Sequence, residues 1–332
     1  MQLRVAVVSL ALSLLLLLLF TLAVYNEGGV DELAYRLFPY IPSTYFQAFG
    51  SWYVRLYTCH MLPTVRLLHL ALGGNIMPSA AVKCSNEPDA LYVVVTAAKG
   101  GTVLAARAAI DIAAACGKCG AIGYRPHGKW PPAQESMPTY RGDVLLAIAN
   151  AQTWPMYARE HGGPVRCAVF TRDPATRFSS LFQYVLDGSE YDLAEPSRTL
   201  KSFLPDYVKA VEWMWKSIGR ETMIESHRVL TISLARKDCQ QIKFETFAND
   251  FDGAAKQWAD AWGILPNATE TVVKSIQRHD VKRKSRESLA KEHHISGTKM
   301  SERDKAAMNS AIKEHGELQK LLNSQRRELG YA

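Results

Sequence analysis

From about Asp89 onward the sequence predicts an α/β fold with a mostly parallel sheet and helices on both faces, three layers in all. Three observations predict it. Short apolar or β-branched runs recur at Leu91–Val95, Val144–Ala149, Cys167–Thr171 and Val229–Ser233, each with the length and composition of a strand buried on both faces. Helix-like stretches lie between or after them, around 201–217 and 248–262, and strands alternating with helices favour parallel pairing. The first run leads directly through two glycines into an alanine-rich helix, "TAAKGGTVLAARAAIDIA" (96–113). That is a strand–loop–helix of the phosphate-binding kind, so the layers are P-loop-like.

The chain begins differently. Val5–Val24 is an uncharged, mostly apolar run of 20 residues, enough at ~1.5 Å of helical rise per residue to cross a hydrocarbon core ~30 Å thick. Cleavable signal peptides have shorter apolar regions, and no small-x-small cleavage pattern follows this one. The expectation is one uncleaved transmembrane helix, a signal anchor. Arg4 precedes the run, while Glu27, Asp31 and Glu32 follow it. The positive-inside rule therefore keeps residues 1–4 cytosolic and sends the remainder across, a single-pass type II arrangement. Residues 25–88 read as a stem rich in Tyr, Phe and Trp, either lying against the bilayer interface or packing as an arm on the domain. Residues 89–332 then form one lumenal domain.

Two further signals concern the compartment. "NAT" at Asn267–Thr269 is an N-glycosylation pattern, expected to make the chain a glycoprotein. Six cysteines (Cys59, Cys84, Cys116, Cys119, Cys167, Cys239) are an even set that suits an oxidising lumen. Their pairing is not readable from spacing. Cys116 and Cys119 frame a C-x-x-C, the form of a redox pair or half a zinc site. No second such pair completes a metal set, so a structural or unpaired role is expected, and no metal.

The 96–113 loop differs from a nucleoside-triphosphate loop in order: Lys99 precedes Gly100, Gly101 and Thr102 rather than following the glycines. Two glycines let backbone N–H groups approach an anion closely, and the helix start adds partial positive charge. Thr102 offers a hydroxyl and Lys99 a mobile charge. The plainer reading is a glycine-rich turn with a solvated lysine. The second pattern, "CAVFTRDPATRFSSLFQYV" (167–185), is a strand, then Arg-Asp-Pro, then a helix with Asp173 as N-cap and Pro174 in the first turn. Arg172 at the strand end and Ser180, two turns along, are spaced to reach one anion with a planar fork and a hydroxyl; taken alone, Arg172 serves equally well to anchor Asp173 or a helix end.

Taken together, Lys-x-Gly-Thr after the first strand and Arg-Asp-Pro-x-x-Arg-x-x-Ser after a later one resemble the sulfotransferase family, whose donor is 3′-phosphoadenosine 5′-phosphosulfate. The resemblance runs from about Tyr92 to Tyr331. Ile242–Ile264 is similar to the family's strand-then-helix segment, and the ending "MSERDKAAMNSAIKEHGELQKLLNSQRRELGY" is similar to its last helix, which commonly closes on Leu-Gly-Tyr. The resemblance implies that Lys99 contacts the phosphosulfate and stabilises charge on the leaving oxygen. It implies that Gly100, Gly101 and Thr102 cradle the 5′-phosphate, and that Arg172 and Ser180 grip the 3′-phosphate. Two positions depart from the pattern: Ala98 stands where the family often has Pro, and Val103 where a second hydroxyl residue commonly follows Thr102. Val103 removes one expected phosphate hydrogen bond, worth roughly 1–2 kcal/mol.

The implied reaction is in-line displacement at sulfur, in which positioning and charge stabilisation dominate and a general base takes the acceptor's proton. Many relatives place a histidine where this chain has Asn150. Glycan-sulfating relatives place a base soon after the first loop's helix and the next strand. His127 falls there, with Glu135 second in line; the plainer reading of His127 is a surface histidine. The C-terminal part from Lys274 to Ala332 holds 14 Lys+Arg against 8 Asp+Glu, which is most of the chain's net charge of +7. "VKRKSRES" (281–288) there serves donor phosphates, an anionic acceptor or simply a solvated face. The expectation is a Golgi-membrane sulfotransferase with a glycan or other secretory-pathway acceptor and no nucleic-acid partner. The alternatives are a nucleotide-dependent phosphotransferase and a non-catalytic binding protein on the same fold.

Overall fold

A computed structural model describes residues 82–87, 89–118, 120–123, 144–148, 154, 158–159, 162–188, 193–285 and 300–331. The apolar run at 5–24, expected to span a membrane, nearly all of the expected stem, Cys59, Cys119, His127, Glu135 and Asn150 lie outside the described residues. Among the described residues no helix is long and apolar enough to cross a membrane.

The sheet has five strands: β1 (Leu91–Thr96), β2 (Gly120–Gly123), β3 (Val144–Ile148), β4 (Val165–Thr171) and β5 (Cys239–Lys243), in the order β2-β3-β1-β4-β5. Every pairing is parallel. β1 is central and buried along its whole length, as a strand covered on both faces must be.

The strand period of two divides β1 between two cores. Tyr92 and Val94 face α1 (Thr102–Ala115), together with Trp258 of α7 (Phe251–Ala261), Trp262 just beyond it, and α8 (Pro266–Ile276). Leu91, Val93 and Val95 face Val229 and Leu230 of α5 (Arg220–Leu234) and Leu329 near the C-terminus. This is the expected three-layer arrangement. A third apolar cluster joins α2 (Pro174–Asp187), α3 (Ala194–Ser202), α4 (Tyr207–Met214), α9 (Glu302–Glu314) and α10 (Gly316–Glu328). The remaining helix, α6 (Phe244–Asn249), follows β5 directly.

Some sequence expectations are corrected. Val229–Ser233 is not a strand but the end of α5. Met223, Ser226, Leu230 and Ser233 are buried while Ile232 is exposed, and spacings of three and four residues mark one helix face. The β-branched composition masked that period. The strand of this region is instead β5, ten residues on. The 201–217 stretch is interrupted: α3 ends at Ser202, and α4 restarts with Asp206 capping the Lys209 N–H. The final helix is two helices, broken at His315, whose Nδ1 accepts the Leu318 N–H to cap α10.

Among the described residues two disulfides brace the fold. Cys116 pairs with Cys84, not with Cys119, so the C-x-x-C is not a redox pair. That bond docks residues 82–87, read from sequence as the end of the stem, onto the domain. Val82 N–H donates to Ala115 O, the Leu265 N–H donates to Cys84 O, and Arg166 makes a two-pronged ion pair with Glu87. Cys167 and Cys239 are register partners on β4 and β5 and are bonded to each other. Cross-links of this kind stabilise mainly by restricting the unfolded chain.

Candidate functional site

The strand order places a switch point between β1 and β4. After β1 the chain runs toward β2 through α1 on one face; after β4 it runs toward β5 through α5 on the other. In parallel sheets ligands enter the crevice that opens at the carboxyl ends of two such strands. Lys99 follows β1 and Arg172 follows β4.

The β1–α1 loop turns tightly. Gly100 N–H donates to Ala97 O at 2.8 Å, Lys99 takes φ +59°, and Gly101, the N-cap of α1, takes φ +98°. A non-glycine residue in the left-handed region is held at some cost by its surroundings. Part of the hold is visible: Arg172 Nη1 donates to the Lys99 carbonyl at 3.0 Å. The two sequence patterns, 73 residues apart, therefore meet directly. The α1 N-terminus receives no side-chain cap and has no acidic residue in its first turn, so its first N–H groups and partial positive charge are directed at this loop.

Phe244, first residue after β5, closes the floor. Its ring lies 5.0 Å from the Arg172 guanidinium, and a Cβ added at Gly101 would stand 2.5 Å from its Cδ2. Gly101→Ala is therefore expected to be costly twice over, through the positive φ and through overlap with the ring, about 2–4 kcal/mol together. Thermal unfolding measures it, and a melting temperature equal to wild type would show that the loop is not held as described.

The lysine side chain bends toward α2. Lys99 Nζ sits 2.8 Å from the centroid of the Tyr184 ring, a cation–π contact. Tyr184 is four residues beyond Ser180, so the two share a helix face, and that face meets the loop. Ser180 is half-buried there. Thr102 is placed differently from expectation. Its hydroxyl donates to Ala97 O at 3.1 Å and lies 3.0 Å from the Thr96 hydroxyl, so in this conformation its proton is used within the loop.

The site is electropositive behind its rim as well. Arg177 of α2 is fully buried, with Nη2 reaching Gln325 Oε1 at 3.3 Å and Met223 O at 3.4 Å. Burial pushes its pKa down to about 10, with the Arg172 charge adding in the same direction, which still leaves it charged at neutral pH. Burial also lowers Arg172 from its ordinary value, opposed chiefly by the Glu245 carboxylate. The Arg172 guanidinium and the Lys99 ammonium at one loop, with the buried Arg177 charge behind them, form an arrangement for anions. Among the described residues no group of three His, Cys, Asp or Glu side chains is placed to hold a metal ion.

Thus Lys99, Gly100, Gly101, Thr102 and Arg172 come together, and Ser180 lies on the helix face beside them. Sequence reasoning missed Tyr184, Phe244 and Glu245. The signal for Tyr184 was its spacing of four from Ser180; the other two stood inside the Ile242–Ile264 segment without an assigned role. No family model, no curated protein and no solved structure matches this chain.

Proposed function

We propose that the chain is a sulfotransferase that moves a sulfuryl group from 3′-phosphoadenosine 5′-phosphosulfate to a hydroxyl or amine of a glycan or other secretory-pathway acceptor. The observation that carries the reading is the hydrogen bond from Arg172 to the Lys99 carbonyl, which joins two anion-binding patterns at the β1/β4 crevice. The residues fit such a donor. The uncapped start of α1 and Lys99 suit the 5′-phosphosulfate, and Arg172 with Ser180 suits the 3′-phosphate.

In the reaction the acceptor oxygen or nitrogen attacks sulfur in line. The bond from sulfur to the bridging phosphate oxygen breaks, and adenosine 3′,5′-bisphosphate leaves. Lys99 is the group that stabilises charge growing on that oxygen. The acceptor's proton goes to a base, for which His127 remains the proposal. The two disulfides and the exposed Asn267 support an oxidising, glycosylating compartment. Anchorage by residues 5–24 in a Golgi membrane completes the reading. A binding protein without turnover is the second reading, favoured by Val103 and by the Thr102 hydroxyl bonded within its own loop.

The test is thermal unfolding of the full chain in detergent with adenosine 3′,5′-bisphosphate, ADP, or ATP with Mg²⁺. At a hundredfold excess over Kd, a ligand specific for the folded state adds about 2.7 kcal/mol of stability. The bisphosphate alone is expected to raise the melting temperature. A shift with ATP alone moves the reading to phosphoryl transfer, and no shift with any ligand rejects the donor site. Transfer of labelled sulfate to a glycan mixture then separates enzyme from binding protein.

A further inference from the structure

The Leu-Gly-Tyr at 329–331 reaches both residues that flank Arg172, Thr171 directly and Asp173 through Glu245. Leu329 is buried in the sheet's core, and its carbonyl accepts from Gln241 Nε2 at 2.9 Å. Gly330, at φ +68°, ends α10 in the left-handed turn that suits glycine, and its carbonyl accepts from Lys243 Nζ at 2.7 Å. The chain then folds back, with the Tyr331 N–H donating to Arg326 O. This puts the phenol beneath the β4 end. Its oxygen is 3.1 Å from the hydroxyl of Thr171, which is fully buried and also accepts from Gln241 Nε2.

On the other side the phenol donates to Glu245 Oε2 at 3.0 Å, and Glu245 Oε1 accepts the Asp173 backbone N–H at 2.9 Å. Asp173 in turn pairs with Arg326 of α10 at 2.9 Å while capping α2 through its other oxygen. With one phenolic proton committed to the carboxylate, the bonds run one way, from Gln241 through Thr171 and Tyr331 to Glu245, which Asp173 also donates to. Burial first, and the neighbouring Glu245 carboxylate second, keep the phenol far above its ordinary range, so it remains a donor at physiological pH.

We propose that Tyr331 is a positioning residue for the anion-binding arginine: through Thr171 and Glu245 it fixes the backbone on either side of Arg172 and so sets where the guanidinium meets the donor's 3′-phosphate. The ligand part rests on the sulfotransferase reading; the relay itself rests on the hydrogen bonds alone.

The experiment uses the full chain in detergent and two readouts: hydrogen exchange at the Asp173 amide, and calorimetric Kd for adenosine 3′,5′-bisphosphate and for AMP, which lacks the 3′-phosphate. Tyr331→Phe is expected to speed Asp173 exchange by about tenfold or more and to weaken bisphosphate binding by about tenfold, the scale of a lost charge-assisted hydrogen bond, with AMP unchanged. Lys243→Met frees the Gly330 carbonyl and removes the ammonium that lies 4.7 Å from the centroid of the Tyr331 ring, but it leaves every hydrogen bond of the relay in place, and it is expected to cost much less than Tyr331→Phe in both readouts. Glu245→Gln, which keeps an acceptor for the amide, is expected to retain more of the bisphosphate preference than Glu245→Ala. Wild-type exchange and preference in Tyr331→Phe, or equal losses in Lys243→Met, overturn the proposal. If wild type itself fails to prefer the bisphosphate over AMP, the functional reading falls, and Asp173 exchange alone decides the relay.

Discussion

Lys99→Ala is expected to lower the turnover of sulfuryl transfer by on the order of 10²–10³-fold, the usual loss when one donor to a developing anion is removed. Donor Kd should change far less than turnover, because the charge on the bridging oxygen grows chiefly in the transition state. The fold should survive. Lys99 has φ +59°, a conformation that alanine tolerates about as poorly as lysine, so the substitution adds little new strain. The control is Lys99→Gly. Glycine accepts a positive φ without steric cost, and relief of roughly 1 kcal/mol is expected. A protein that is more stable yet inactive would show that the left-handed lysine is kept for its ammonium group. That group rests on the Tyr184 ring, 2.8 Å from its centroid, a position on α2 from which it can swing to the loop. Undiminished turnover in Lys99→Ala, measured with labelled donor, sinks the mechanism.

Arg172→Ala acts on binding. Hydrogen bonds to charged groups are worth roughly 1.5–3 kcal/mol, so Kd for adenosine 3′,5′-bisphosphate should rise roughly 10- to 150-fold, and AMP should be affected less. Some loss for AMP is expected, because the same guanidinium holds the Lys99 carbonyl at 3.0 Å and steadies the first loop. Arg172→Lys discriminates charge from shape. A lysine keeps the charge but loses the planar fork that spans two acceptors, so it should recover only part of the affinity. Equal losses for AMP and the bisphosphate in Arg172→Ala would remove the 3′-phosphate from this residue and leave it a loop-holding role.

Much of this was legible in the sequence, for reasons that differ by element. β1 and β4 announce themselves because a central parallel strand is covered on both faces and needs apolar residues without interruption, and β3 carries the same kind of apolar run. β5 does not, because Gln240 and Gln241 at its middle are exposed. Its neighbour α5, with Val229, Thr231 and Ile232 close together, borrows a strand's composition while burying residues at helical spacing. The position of Lys99 and Arg172 at strand ends followed from local pattern alone, since each lies where an apolar run stops and a helix with glycine or an Asp-Pro start begins.

What the sequence by itself determined was the set of parts: an α/β chain, an apolar N-terminal run, a lysine-first glycine loop, and an Arg-Asp-Pro turn with a serine two turns on. These are local properties, decided by periodicity, by the freedom of glycine and by capping. Only the tertiary structure decided that Arg172 reaches the Lys99 carbonyl, that Cys116 pairs with Cys84 rather than Cys119, and that the last tyrosine sits under Glu245. Each joins residues 32 to 86 positions apart. No local pattern encodes such pairings, because they arise when strand order and helix packing close the chain and every buried donor must find an acceptor.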